Sequence, residues 1–244
     1  AVRLREVRAL TGFTRITPPG DPDSEDVAQL SLQKKNWLPA IEVRGEGVFL
    51  ALNEKTLQAW ETRDEVVKRA QDCDDKYRSD WRDRYGEESD PILTITPRYM
   101  LCHTLAHALM RQLTLECGYS SASLQERIYA GEGEAKMAGV LIYTATADAD
   151  GTLGGLQRQG LASRMEGILA RAIGAMEWCS SDPLCITDMM GAIASYSHAS
   201  CHSCVLAPET SCEAFNNYLD RALLVGTPDD PDIGFFSALL EATR

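Results

Sequence analysis

The sequence predicts an α+β fold, with a small mixed sheet, a buried central helix and a C-terminal module stapled by four cysteines. Three observations lead there. Short runs of strand composition stand at 41–44, 48–52 and 140–144, residues 97–117 are apolar around almost the whole of a helical wheel, and five of the eight cysteines fall between positions 179 and 212. The 244 residues are enough for one large domain or two small ones. We divide them into an N-terminal α+β region, 1–97, with a hairpin and a long charged helix, and a cysteine-bearing domain, 98–244.

Residues 3–17 partly alternate polar and apolar and stop at Pro18-Pro19-Gly20, which predicts one strand or two. Residues 18–35, rich in Pro, Asp, Ser and Lys without an apolar face, read as a mobile surface loop. Ile41-Glu42-Val43-Arg44 and Val48-Phe49-Leu50-Ala51-Leu52 flank Gly45-Glu46-Gly47, the composition of two strands joined by a glycine hairpin loop. Asn53 is placed to cap a helix over 54–86, in which Trp60 and Val67 lie a heptad apart and Tyr77, Trp81 and Tyr85 follow at i, i+4, i+8. That stripe suits a half-buried helix covering its own core better than a partner-docking face, and Asp72-Cys73-Asp74-Asp75 is the expected point of interruption. Helix 97–117 is apolar on both sides, so it should be buried, with Gly118 as its C-cap. A short helix over Ser120 to Ala130, a turn at Gly131-Glu132-Gly133 and a central strand at Val140-Leu141-Ile142-Tyr143-Thr144 come next. Asp148-Ala149-Asp150-Gly151 makes a turn, and Leu161, Met165, Ile168, Leu169, Ala172 and Met176 keep a helical period up to the cysteines. Phe215, Leu219, Ala222 and Leu223 mark one more amphipathic helix, and Phe235 to Leu240 a last short one.

Composition excludes several classes. Lys+Arg 24 against Asp+Glu 36 leaves a net charge of −12, which argues against a chain held to nucleic acid or anionic membrane by its overall field. Hydrophobic content of 44% and charged content of 25% are ordinary for a globular protein, and no apolar run approaches the roughly 18 residues of a spanning helix. The start Ala1-Val2-Arg3, without Met or a basic, apolar leader, reads as a trimmed or excised piece. Clustered cysteines in a chain of this kind point to a metal site in a reducing cytosol, hence a cytoplasmic protein.

Cys201-His202-Ser203-Cys204 places two thiolates on one tight turn, a spacing that grips a single ion. Cys201, Cys204 and Cys212 read as three ligands, with Cys179 or Cys185 as the fourth; His202, between the two turn cysteines, points elsewhere. An all-sulfur shell suits structural zinc, because it leaves no open coordination position. Buried free thiols or a redox pair are the alternatives. His103 and His107 share one helix face, but a zincin would have Glu where Thr104 stands, so they read as core or interface groups satisfied by hydrogen bonds. Gly154-Gly155 suits close packing, since the chain has no phosphate loop, dinucleotide fingerprint or nucleophile elbow. The rival of another class is a metal-dependent nuclease or hydrolase using His103, His107 and Asp148 or Asp150 around a catalytic ion.

The succession Cys102-His103-Thr104-Leu105-Ala106-His107-Ala108-Leu109, Gly139-Val140-Leu141-Ile142-Tyr143, Asp150-Gly151-Thr152-Leu153-Gly154-Gly155-Leu156, Cys201-His202-Ser203-Cys204, Cys212 and Leu219-Asp220-Arg221 resembles the MrfA zinc-binding (MZB) domain over about residues 98–225. That domain occurs near the C-terminus of certain superfamily 2 DNA helicases and in their partner proteins. Gln125-Glu126-Arg127-Ile128-Tyr129, Trp178-Cys179-Ser180-Ser181-Asp182, Pro208-Glu209-Thr210-Ser211-Cys212-Glu213 and the opening Leu4-Arg5-Glu6-Val7-Arg8 are similar to the DrmB subunits of the DISARM anti-phage system, in their C-terminal portion. The resemblance implies a structural zinc. It also implies a non-catalytic, cytoplasmic subunit that works with the helicase subunit DrmA on invading single-stranded or unpaired DNA, ATP hydrolysis belonging to the partner. The family often carries its leading cysteines closer together than Cys179 and Cys185, and a Gly where this chain has Ser200.

Overall fold

A single antiparallel sheet of four strands, in the order β1-β2-β4-β3, lies against a long helix in this computed structural model, which describes residues 2–13, 28–91, 93–131, 133, 136–144, 155–187 and 196–243. The strands are β1 (Val2–Ala9), β2 (Ala40–Ala51), β3 (Leu124–Tyr129) and β4 (Gly139–Thr144). Every pairing is antiparallel, so the sheet is not mixed as expected: β3 returns directly as β4, and β4 inserts beside β2 running the opposite way. The expected loop at 18–35 falls largely on residues outside those described, as does the turn at Asp148-Ala149-Asp150-Gly151.

The largest departure from the sequence reading is β2. Gly45-Glu46-Gly47 is no hairpin loop; the strand passes straight through it for 12 residues. The glycines serve close approach instead. A Cβ on Gly45 would stand 2.1 Å from the Thr144 carbonyl oxygen, and one on Gly47 would stand 2.6 Å from Leu4 Cδ1. Glycine punctuates a sequence equally as a turn or as a tight crossing, and only the neighbouring strands decide which. Between them Glu46 faces inward, 2% exposed. Its carboxylate accepts the Tyr119 hydroxyl at 2.7 Å and the backbone N–H groups of Leu156 and Gln157 at 2.9 and 3.0 Å. It thus holds the first turn of α4 (Gly155–Gln159) against the sheet. Gly155 packs closely there, since a Cβ would meet the Tyr119 hydroxyl at 2.6 Å.

Helix 54–86 is two helices, α1 (Glu54–Glu61) and α2 (Asp64–Tyr85). Asn53 caps the first, accepting Thr56 N–H at 3.1 Å. The break falls at Thr62 and Arg63, not at Asp72-Cys73-Asp74-Asp75, and it resets the helical phase: Val66 is buried while Val67 is 40% exposed. Trp60 stays inside, donating from Nε1 to the Ile233 carbonyl at 2.8 Å and meeting Phe235 edge-on. Tyr77 packs edge-on against Tyr196 and Tyr218 at 5.4 Å, with half-buried Trp81 and Tyr85 behind it, so the stripe covers the protein's own core.

Helix α3 (Pro97–Cys117) is buried on all sides from Arg98 to Met110, with 14 of its residues in the interior, and its last turns are open on one side, where Leu115 is 74% exposed. Thr96 caps its N-terminus, and Gly118, at φ +72°, ends it in the left-handed conformation. The expected helix over 120–130 is a single 3-10 turn, Ser121–Ser123, followed by β3. Leu124 and Glu126 alternate inward there against β4, and a ladder partner overrides local helix propensity. Helix α5 (Ala162–Gly174) follows α4 and packs on α3. Of the expected 215–223 helix only α6 (Ala222–Val225) forms, because Phe215, Asn216 and Tyr218 adopt positive φ. Helix α7 (Ser237–Thr243) closes the described chain. One apolar core joins residues from Val48 to Ile233, and the β2–β4 pairing carries the sheet across position 97/98.

The Gly45 crossing is open to test. Gly45→Ala is expected to cost about 1–3 kcal/mol in urea unfolding, whereas Gly174→Ala at the end of α5, where an added Cβ meets nothing within 4 Å, should be neutral or stabilising by up to about 1 kcal/mol.

Candidate metal centre

Four sulfurs converge behind the C-terminal half of α3. The Sγ atoms of Cys179, Cys185, Cys201 and Cys204 all lie within 4.8 Å of one another, and all four residues are buried. Cys179 to Cys201 is 3.4 Å, Cys201 to Cys204 is 3.6 Å and Cys185 to Cys204 is 3.8 Å. A tetrahedron of sulfurs about 2.3 Å from a central zinc has edges of about 3.8 Å. A disulfide would need about 2.05 Å. The spacing therefore fits sulfurs arranged around an ion.

Local chemistry builds each half. On one side Cys204 and Val205 N–H groups turn back to the Cys201 carbonyl, both at 3.2 Å, which brings the two turn sulfurs to one side. On the other, Asp182 closes the Cys179 to Cys185 loop. Its carboxylate accepts Cys179 N–H at 2.8 Å and Ile186 N–H at 3.1 Å, and Ser181 N–H points at Cys179 Sγ at 3.4 Å. Helix α3 seats the turn: Arg111 donates to the carbonyls of Ser203 and Cys204 at 2.9 and 2.7 Å, and His107 Nδ1 donates to that of Val205 at 2.7 Å.

The electrostatics favour anionic sulfur at Cys204, while burial pushes the Cys179 thiol up. The hydrogen bond from the Cys185 thiol holds Cys204 down to about 5, with Arg221 pulling the same way, and Cys185 rises in consequence. Arg221 is wholly buried, donating to the Met176 carbonyl at 2.8 Å and to Asp182. Burial opposes its charge, and Asp182, Cys204 and Cys185 together outweigh that and raise its pKa. A guanidinium beside four sulfurs offsets part of the charge that a zinc–tetrathiolate carries.

Cys212 is not in this group. Cys179 and Cys185 both join Cys201 and Cys204, and Cys212, expected as a ligand, sits elsewhere with its Sγ 3.1 Å from His103 Nε2. His202 is exposed, outside the sulfur cluster. His103 and His107 are buried, as expected of core groups, and they meet Glu126 and Cys212 in a second constellation whose ligand atoms also lie within 4.8 Å of one another. Asp148 and Asp150 fall outside the described residues. Glu126, Asp182, Arg111 and Arg221 were missed from the sequence. The alternation Leu124-Glu126-Ile128 was a strand signal for the first of them; the other three show no local pattern.

Asp182 and Arg221 should behave as one unit. Asp182→Ala leaves a buried guanidinium without its anion, so a loss of about 3–5 kcal/mol is expected. The Asp182→Ala/Arg221→Met pair should cost less than the sum of the single changes in a denaturant double-mutant cycle.

Comparison with known proteins agrees with this geometry. Residues 105–205 match the family described as MrfA Zn-binding domain, a span that includes all four clustered cysteines. The chain is 39% identical, over 98% of its length, to the DISARM protein DrmB of Bacillus paralicheniformis (strain ATCC 9945a / NCIMB 11709 / CD-2), and spans 42% of that relative.

Proposed function

Because this chain is a homologue of DISARM protein DrmB and contains an MrfA Zn-binding domain, we propose that it is the zinc-stapled portion of a non-catalytic subunit in a bacterial anti-phage defence complex. In this reading residues 98–244 form the zinc-binding unit and residues 1–97 complete its sheet. The subunit works in the cytoplasm with a superfamily 2 helicase partner, DrmA, and helps to engage invading single-stranded or unpaired DNA. The observation that carries the reading is the convergence of Cys179, Cys185, Cys201 and Cys204 on one point. Zinc held there would tie the 179–185 loop and the 201–204 turn to α3. Four sulfurs complete its shell, so the ion supplies cross-linking rather than a polarised water. The same ion couples the ordering of this module to metal supply.

A net charge of −12 keeps isolated DNA affinity weak, so a positive groove is expected only when the partner contributes to it. The nuclease reading would draw on the donor set at His103 and His107, but the two rings are 0% and 2% exposed, which speaks against direct contact with a phosphodiester.

Co-purification with the helicase encoded alongside it, with elemental analysis of the complex, tests the proposal. Cys204→Ser is expected to lose one zinc equivalent and to lower the thermal midpoint, and a strong chelator should lower it similarly in the parent. Anisotropy with single-stranded DNA should give a Kd weaker than about 1 µM for this chain alone at physiological salt and tighter binding for the complex. Failure to co-purify, or tight binding by the chain alone, would overturn the partner-dependent reading.

A further inference from the structure

The second constellation is built from parts far apart in sequence. His103 and His107 project from α3, Glu126 from β3, and Cys212 from the loop before α6. Glu126 Oε1 lies 3.0 Å from His103 Nε2 and 3.3 Å from His107 Nε2, and His103 Nε2 is 3.1 Å from Cys212 Sγ. Both side chains of each His–Glu pair are 0% exposed. Two imidazole nitrogens from one helix, a carboxylate from a strand and a sulfur from a loop form a four-atom donor set of borderline softness.

Protons alone satisfy this group poorly. His107 Nδ1 faces the Val205 carbonyl at 2.7 Å, and a carbonyl only accepts, so that nitrogen carries the hydrogen. In the neutral ring the Nε2 lone pair is then turned toward the Glu126 carboxylate. His107 Nε2 makes no hydrogen bond, and neither does Glu126 Oε2, although both are buried. A lone pair opposed to a carboxylate oxygen in a dry interior is repulsive, and the repulsion is relieved by an ion bound between them or by a second proton on the ring. A carbonyl on the far nitrogen of a histidine is also the usual second support of a metal-bound imidazole.

Cys212 is prepared in the same sense. Its sulfur accepts the N–H groups of Ala214 at 3.4 Å and Asn216 at 3.2 Å, which favour thiolate, while burial and the Glu126 carboxylate outweigh them and push the thiol up when no cation is bound. That wrapping holds Phe215 and Asn216 at positive φ, a conformation that non-glycine residues adopt at a cost. The Asn216 side chain, bonded to both the N–H and the carbonyl of Ala207, holds the loop in that form. Among the described residues, Glu126 has ion-pair contacts only with the two histidines, so no arginine or lysine supplies the missing positive charge.

We propose that His103 Nε2, His107 Nε2, a Glu126 carboxylate oxygen and Cys212 Sγ form a second, closed site for a divalent transition ion, zinc by its donors. This site joins α3 to β3 and to the 212–218 loop. It is distinct from the four-sulfur site and does not depend on it.

The test is first-row metal analysis of the full-length protein, purified reduced without chelator or metal-affinity resin. Two ions per chain are expected in the parent, one in Glu126→Gln and one in Cys204→Ser. One ion in the parent, retained in Glu126→Gln and lost in Cys204→Ser, would overturn the second site and leave the four-sulfur site standing. The converse pattern would remove the four-sulfur site alone. Should Glu126→Gln fail to fold, crystals of the parent decide. An anomalous peak at the metal edge between His103 and Cys212 supports the site, and its absence beside a peak at Cys204 refutes it.

Discussion

A helix buried on every side over its first 14 residues leaves the polar side chains there no recourse to water, and the rest of this structure is arranged around that constraint. Most inward polar side chains of α3 find a partner in another element. Arg98, 2% exposed, pairs with Glu61 and Glu54 of α1 and donates to the Gly131 carbonyl at 3.1 Å. Thr104 accepts Asp220 N–H at 2.9 Å, and Asp220 in turn receives both arms of Arg69 from α2. Arg111 and His107 grip the carbonyls of the 203–205 turn. The obligation to satisfy one helix thereby fixes the position of α1, α2, the cysteine turn and the segment leading into α6.

The same logic explains why the sulfur cluster sits where it does. Its turn is already seated on α3 by carbonyl contacts, so an ion would need only to draw the 179–185 loop onto a prepared surface. Asp182 is the pivot of that loop, binding two backbone N–H groups of its own segment and the buried Arg221. Charge is thus distributed in pairs, with Arg221 close to anionic sulfur and Asp182 close to Arg221. In a low-dielectric interior such alternation is what makes a tetrathiolate tolerable. Sulfur in both constellations also receives backbone N–H groups from just downstream, from Ser181 at Cys179 and from Ala214 and Asn216 at Cys212.

A module stabilised in this way suits an accessory role in a defence assembly. The groups with chemical potential lie inside and hold elements together, while α2 presents interspersed acidic and basic side chains to solvent. The net charge of −12 over the chain disfavours unassisted contact with a polyanion.

By itself the sequence determined whatever rests on contacts between neighbours in the chain. The all-round apolar period of 97–117, its glycine C-cap, the apolar run of β4, the Asn53 cap and the Cys201–Cys204 turn are local facts, legible as patterns of side chains and caps. What only the tertiary structure decided was every feature whose cause lies on another element. Gly45 and Gly47 became strand because Thr144 and Leu4 press on them, β3 became strand because β4 lay alongside, and Phe215 left the helical region where the chain wraps Cys212. The choice of Cys185 as well as Cys179 over Cys212 was of this kind too. Five sulfurs compete equally as letters, and the competition ends only when the burial of α3 places one of them beside two histidines and a glutamate 86 positions upstream.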